Sequence, residues 1–303
     1  MKILNKGEAL PNGLAMALGA FDGVHIGHKK LIENIVNYSK KTGCRSCVYT
    51  FDNLPSGAKY ITDWQQRTDV FKRLGTDYLY IQKFDADFKD MSAKKFLDKY
   101  IKNAAYVTVG FNFRFGKGRE GNTSLLEEYC KENGIVFEIV QPVYLGSEIV
   151  SSTKIRGYIE ENNFETAKNM LGYHFCVKGV VEHGNAIGRT IGFPTANICV
   201  DENRIMPTEG VYATVTEYDG KKYASITNYG GKPTFKDNKI LLETNIFNFD
   251  GDLYGKEISV FFLEKLRNIV GFGSAEELKR QLTDDKNKSL KIFGKSIYKS
   301  KNM

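Results

Sequence analysis

The sequence lacks any apolar run of membrane-spanning length, and its opening stretch MKILNKGEALPNG breaks at Pro11 and Gly13 before a signal-like apolar region develops. A bilayer-crossing helix needs about 20 consecutive apolar residues, and a secretory signal needs an unbroken apolar segment behind its basic start. A cytoplasmic protein with no membrane partner is therefore expected. Cysteine is too sparse for a disulfide framework: five are present, an odd number, in a chain of 303 residues. A chain of that size does not need covalent staples, so reduced thiols are expected. Cys44 and Cys47 do form a C-x-x-C, but Cys47 enters the strand-like run SCVYTF and no second metal-spaced pair accompanies them. Small buried residues are a simpler reading of that pair than zinc or redox chemistry. The chain also has no internal repeat and no low-complexity linker.

What is there is the balance of a folded protein, 42% hydrophobic and 26% charged, which excludes a disordered or fibrous chain. The length exceeds what one core usually serves, so two domains are expected. A formal net charge of +7 concentrates anions near the surface, which suits phosphorylated ligands and nucleic acid alike.

The first half alternates strand-like runs (LAMALG, SCVYTF, DYLYIQ, AYVTVG, IVFEIV) with amphipathic helical ones (HKKLIENIVNYSKK, DVFKRLG, AKKFLDKYI, SLLEEYCKENG). That alternation predicts a parallel sheet with crossover helices, binding ligands at the carboxyl ends of its strands. Two helical segments, TKIRGYIEENN and FETAKNMLG, close this part, which places the boundary near Gly172 and the domains at 1–172 and 173–303. From Tyr173 short β-rich runs are separated by glycine turns, with Asp219-Gly220 and Asp250-Gly251 as turn signals, and an antiparallel barrel is expected. The last periodic segment, SAEELKRQLTDD, has a Ser cap followed by acidic residues, as a helix start prefers. A Lys-rich tail follows it and reads as a solvated helix with a frayed end.

Residues 19 to 28, Gly-Ala-Phe-Asp-Gly-Val-His-Ile-Gly-His, lie between the first strand and the first long helix. In an open α/β sheet that is where phosphate binds, and histidines three apart can face one side of the first helical turn. Gly19, Gly23 and Gly27 permit tight turns and close backbone approach. His25 and His28 could donate hydrogen bonds to a pentavalent phosphorus as charge builds on its oxygens; the plainer reading is a turn whose histidines cap or pack. Further on, Ser151, Ser152 and Thr153 open a helix with anion-binding donors, and Arg156 adds a bidentate fork. In the barrel region, Thr195 and Asn197 are two apart on a strand, so they share a face and can share a metal or phosphate. Glu243, taken by itself, reads as a solvent-facing strand carboxylate. The chain has neither a Walker A sequence nor a protein-kinase H-R-D.

The string F-D-G-V-H-I-G-H resembles the adenylyltransferase half of bacterial riboflavin kinase/FMN adenylyltransferases, within the nucleotidyltransferase superfamily. Gly110-Phe111-Asn112-Phe113-Arg114-Phe115-Gly116 resembles that family's flavin-side loop, and Ser151-Ser152-Thr153-Lys154-Ile155-Arg156 resembles its S-S-T-x-I-R motif. Gly188-Arg189-Thr190-Ile191-Gly192-Phe193-Pro194-Thr195-Ala196-Asn197 resembles the riboflavin kinase signature, and Glu243 with Phe249-Asp250-Gly251-Asp252-Leu253-Tyr254-Gly255 resembles its E-x-x-x-x-x-F-D-G-D-L-Y-G.

The resemblance implies a Rossmann-like nucleotidyltransferase domain followed by a small antiparallel β-barrel kinase with a C-terminal helix. It implies ATP contacts at Gly19, Phe21, Asp22, Gly23, His25, His28, Ser151, Ser152, Thr153 and Arg156, and flavin contacts at Asn112, Phe113 and Phe115. For the kinase it implies ATP contacts at Gly188, Gly192, Pro194, Thr195 and Asn197, with Mg2+ on Thr195 and Asn197. Glu243 would serve as base, and Arg267 would sit near flavin. Riboflavin, FMN, FAD and ATP are the implied substrates and products, with no nucleic-acid partner. Two departures stand out: Ala20 occupies a position where many members have Asn, and Thr50-Phe51-Asp52-Asn53-Leu54-Pro55 stands where T-F-x-P-H-P is usual. They keep open a chain with only one active half. A basic RNA-binding protein using the barrel and the Lys-rich tail is the other alternative.

Overall fold

Short apolar runs rich in β-branched and aromatic residues become the strands β1 (Lys2–Asn5), β2 (Leu14–Leu18), β3 (Ser46–Phe51), β4 (Tyr78–Gln82), β5 (Ala104–Gly110) and β6 (Val136–Val140). In the computed structural model, which describes residues 1–183, 192–230 and 240–300, these strands form one sheet in the order β1-β4-β3-β2-β5-β6, every neighbouring pair parallel. The alternation of side chains gives the sheet two packed faces. Leu14, Met16 and Leu18 enter one core with Val107, Val109 and Phe115, while Ala15 and Ala17 face another core. The two alanines leave room for α1 (Ile26–Thr42), which presents Leu31, Ile32, Ile35 and Val36 at helical spacing. That helix ends at Gly43, whose φ of 79° closes the last turn with an N–H bond to the Ser39 carbonyl.

The strand order has a functional consequence. From β2 the chain adds β3 and β4 on one side, then crosses to add β5 and β6 on the other. Such a reversal opens a crevice at the carboxyl ends of the two central strands, here β2 and β5. The residues following those ends are Gly19–His28 and the run from Phe111 onward.

The chain packs as two compact units, Met1–Ser152 and Thr153–Met303. The first unit ends with a small hairpin of β7 (Tyr144–Leu145) and β8 (Glu148–Ile149). In the second, β9 (Cys176–Glu182), β10 (Ala196–Val200), β11 (Gly210–Tyr218), β12 (Lys221–Tyr229), β13 (Ile240–Ile246) and β14 (Glu257–Arg267) close an antiparallel barrel in the order β10-β13-β12-β11-β14-β9. The change of sequence pattern at Gly172 and the end of the first unit at Ser152 fall at different places for a physical reason. The segment Phe164–Leu171 is helical in pattern, but Phe164 packs on Phe175, Tyr212 and Phe262 of the barrel unit. Just before that helix, the Asn162 amide donates to the Thr208 hydroxyl at 2.9 Å.

The Lys-rich tail, expected as a solvated helix, continues the preceding helix without a break over Ala275–Ser300. One stripe of it is docked: Leu282 and Phe293 join Ala224, Ile226 and Phe247, while Asp285 and Ser289 are fully buried. Spacings of three and four residues put all four on one face. All five cysteines are free thiols, and no helix among the described residues is long and apolar enough to cross a membrane.

Candidate active sites

The turn after β2 is strained and tied down on several sides. Phe21 has φ 51° and Val24 φ 34°, left-handed values that bulky and β-branched residues rarely adopt. Strain of this kind costs on the order of 1–3 kcal/mol per residue and persists only where the surroundings enforce it. Here the buried Asp22 carboxylate accepts from the Ile61 amide at 2.9 Å and the Thr62 amide at 3.2 Å, and the Gly23 amide donates to the Thr62 hydroxyl at 3.0 Å. The Ser152 hydroxyl donates to the Asp22 carbonyl at 2.9 Å. The Ala20 carbonyl accepts from the Thr50 hydroxyl at 3.0 Å and from Arg67 Nη1 at 3.4 Å. Thr50, Thr62 and Arg67 are the members that sequence reading missed. No local motif announces Thr62 or Arg67, and Thr50 enters only through the run that departs from T-F-x-P-H-P; Arg67 is a buried arginine on a short helix, its guanidinium 3.9 Å from the Trp64 ring centre.

The two histidines sit at the mouth of α1. His25 is the N-cap, and its Nδ1 accepts the His28 amide proton at 3.2 Å, which leaves Nε2 to carry the His25 proton. The two imidazoles stack with centroids 3.6 Å apart and planes 17° from parallel, and Phe21 meets His28 edge-on at 5.2 Å. Burial pushes the His25 pKa down to about 4, with a further contribution from Lys29. Burial and the neighbouring His25 hold His28 well below the usual histidine range. Both rings are thus neutral at pH 7 and act as hydrogen-bond donors rather than as fixed cations. His28 Nδ1 is buried without a partner. A methyl group at Gly27 would lie 3.2 Å from the His25 ring, so the glycine preserves the stack. No acidic residue occupies the first turn of α1, and the helix N-terminus, two neutral donors and Lys29 offer the chemistry that an anion would need.

Beyond β5, Asn112 is exposed and Phe113 half-buried, its ring stacked 5.6 Å from Phe115. Phe115 itself belongs to the core and pairs with Gly121, where an added Cβ would lie 2.7 Å from its ring. Phe115 is therefore placed to support Phe113 rather than to face solvent. Ser151 and Ser152 end the first unit; Thr153 and Arg156 follow on the helix Ser152–Glu160.

On the barrel, Gly188 lies outside the described residues. Gly192 adopts φ 82°, and Pro194 and Thr195 line a small cavity of about 100 Å³ with Thr244, Phe249, Asp252 and Tyr254. The Pro194 carbonyl accepts from Asn245 Nδ2 at 2.6 Å, which fixes the approach to β10. Asn197 stands directly opposite Glu243 in the β10–β13 register. Asn197 is 5% exposed and its Oδ1 has no hydrogen-bond partner, whereas Glu243 is exposed and accepts from Asn228 Nδ2 at 3.3 Å. Arg267 is not a loose surface charge: its Nε lies 2.9 Å from the buried Asp285 carboxylate, and Phe272 lies 5.6 Å from its guanidinium. No cluster of three or more His, Cys, Asp or Glu among the described residues is placed to hold a metal.

Residues 8–154 match a family model described as FAD synthetase, and residues 171–293 match one described as riboflavin kinase. A bifunctional riboflavin kinase/FMN adenylyltransferase of Listeria monocytogenes is 35% identical over 92% of this chain and 92% of its own length. The protein of the same name from Escherichia coli strain K12 is 32% identical over 96% of each. A crystal structure described as a macrolide-efflux protein from Streptococcus pneumoniae superposes with a TM-score of 0.84 at 32% identity, covering 95% of this chain and 98% of that one.

Proposed function

The chain belongs to the bifunctional riboflavin kinase/FMN adenylyltransferase family, and from that membership we propose the division of labour between its two units: the barrel phosphorylates riboflavin to FMN with ATP, and the parallel-sheet unit adenylylates FMN with a second ATP to give FAD and pyrophosphate. In sequence terms the adenylyltransferase is residues 1–172 and the kinase residues 173–303, in a cytoplasmic enzyme. The observation that carries the first assignment is the neutral histidine pair at the start of α1, beside the crevice where the strand order reverses.

In the adenylyltransferase, an FMN phosphate oxygen attacks the α-phosphorus of ATP. The new P–O bond forms as the bond to the β-phosphate bridging oxygen breaks, and pyrophosphate leaves with that electron pair. No enzyme nucleophile is needed, so the protein's contribution is positioning and charge stabilisation. His25 and His28 donate to oxygens that gain charge in the transition state. Gly19, Phe21, Asp22 and Gly23 shape the turn, and Ser151, Ser152, Thr153 and Arg156 are assigned to ATP phosphates on the strength of their motif. Asn112 and Phe113, backed by Phe115, receive the flavin side. Ala20 does not argue against activity, because the turn uses its backbone carbonyl rather than its side chain.

In the kinase, Glu243 accepts the proton of the ribityl primary hydroxyl as that oxygen attacks the γ-phosphorus and ADP leaves. The ATP phosphates are assigned to Gly188, Gly192, Pro194, Thr195 and Asn197, and Arg267 supports the flavin side through its hold on the loop ending at Phe272. The orphaned Asn197 Oδ1 fits a hard cation such as Mg2+, which would be held by Asn197 and Thr195 and completed by nucleotide oxygens; when bound it offsets phosphate charge. Replacing Glu243 with Gln tests the division: FMN formation should be abolished with FMN adenylylation retained, and equal loss of both would contradict it.

A further inference from the structure

Asn197 has a carboxylate on either side. Both β9 and β13 pair with β10, and their registers put Glu182 and Glu243 directly opposite Asn197, with Asn228 opposite Glu243 one strand further on. Directly opposed residues of antiparallel strands share a face, with Cβ atoms about 4.5–5.5 Å apart. Glu182, Asn197, Glu243 and Asn228 therefore form one row across four strands. The alternation of the pleat puts this row on the face opposite the buried Ala196, Ile198 and Thr244.

The row is electrostatically incomplete. An amide oxygen buried without a donor is destabilising, and the residues directly opposite Asn197 on both neighbouring strands carry carboxylates, which cannot donate. Each carboxylate has one oxygen already held: the Cys199 thiol, two residues beyond Asn197 on β10, lies 3.0 Å from Glu182 Oε2, and Asn228 Nδ2, on the far side of β13 from Asn197, lies 3.3 Å from Glu243 Oε2. A buried amide oxygen set between two such anions matches the oxygen-only, charge-assisted ligand set of a hard divalent cation that keeps its remaining positions for phosphate and water.

We propose that Glu182 completes the kinase's cation site, so that the divalent cation travelling with ATP is held by Asn197 Oδ1 and the Glu182 carboxylate alongside Thr195, while Glu243 is left to handle the riboflavin proton. This rests on the reading of the barrel as the kinase, with Asn197 at the nucleotide. It gives the two carboxylates different duties from their places in one row: Glu182 on β9, at the entry to the glycine-rich approach, serves the cation, and Glu243 on β13 serves the alcohol.

The test is a Mn2+ titration of the full chain in the presence of ADP, followed by water-proton relaxation, for the wild type, Glu182→Gln, Glu182→Asp and Asn197→Leu. Riboflavin binding by fluorescence quenching and thermal melting run alongside. Glu182→Gln is expected to weaken Mn2+ binding about tenfold or more, Glu182→Asp to restore most of it, and riboflavin binding and Tm to stay unchanged in both. Unchanged Mn2+ binding in Glu182→Gln together with loss in Asn197→Leu would overturn the role of Glu182 and leave the kinase reading standing. Unchanged binding in both would overturn the role of Glu182 and the placement of the cation at Asn197. A parallel fall in Mn2+ binding, riboflavin binding and Tm in Glu182→Gln would mean that the residue only supports the barrel wall.

Discussion

The imidazoles of His25 and His28 stack 3.6 Å apart, a spacing at which two like charges would repel strongly, and burial keeps both rings uncharged at neutral pH. A neutral donor pair suits adenylyl transfer, because it strengthens its hold as the phosphorus oxygens gain charge and pre-binds the ground state less than two fixed cations would.

Replacing His28 with Ala should lower FAD formation from FMN by about 10²–10³-fold, the usual cost of one aimed donor, with FMN formation from riboflavin unaffected. Chromatography of the two reactions run separately reads both, and undiminished FAD formation would remove His28 from the mechanism.

The same pair makes stability depend on pH with a definite sign. His25 titrates near 4 in the folded chain, below its ordinary value of 6.5, and burial pushes His174 to about 4 as well. Between pH 6.5 and 4 the unfolded chain takes up protons that the folded chain refuses. Stability present at pH 7 therefore falls as the pH drops through that window, by up to about 1.4 kcal/mol per pH unit for each such histidine, less for the more exposed His174. Urea melts at pH 7 and 5 measure the slope for the wild type and His25→Asn, and the variant should show a shallower one.

The sheet, the barrel and the turn before α1 were legible because each rests on a local pattern: alternating periodicity, turn signals such as Asp219-Gly220, and a glycine-rich strand-to-helix junction. What stayed hidden depends on distant partners. Nothing near Thr62 or Arg67 announces a hold on a turn some forty residues earlier. Phe115 reads as one more aromatic of a loop until Gly121 is found against its ring. The Lys-rich tail looks solvated because charge dominates its composition, while the docked stripe of Leu282, Asp285, Ser289 and Phe293 uses only one residue per turn. Glu182 falls outside any motif, and only the strand register brings it to Asn197.

Asp22 is the hub of the turn. Replacing it with Ala leaves the Ile61 and Thr62 amides without their carboxylate, which should cost about 2–3 kcal/mol of stability and release the strained values at Phe21 and Val24. FAD formation should fall in kcat, with kinase activity retained below the new melting point. A variant with unchanged Tm would show that the carboxylate does not hold the turn.

Arg267 and Asp285 form a buried pair between the end of β14 and the C-terminal helix. Arg267→Met removes the cation from a fully buried carboxylate, leaving it the Gln281 Nε2 donor at 2.9 Å, and should destabilise the protein by about 3 kcal/mol, and adding Asp285→Leu should recover most of that. Denaturant melts of the two single variants and the double variant measure the coupling; additive losses would mean that the pair is not a unit.

Product analysis tests the central claim most directly: the pure protein is incubated with Mg-ATP and either riboflavin or FMN, for the wild type, His28→Ala and Glu243→Gln. The wild type should make FMN from riboflavin and FAD from FMN, His28→Ala should lose only the second reaction, and Glu243→Gln only the first. Loss of both reactions in either variant, or a wild type unable to convert FMN to FAD, would contradict two independent sites in two units.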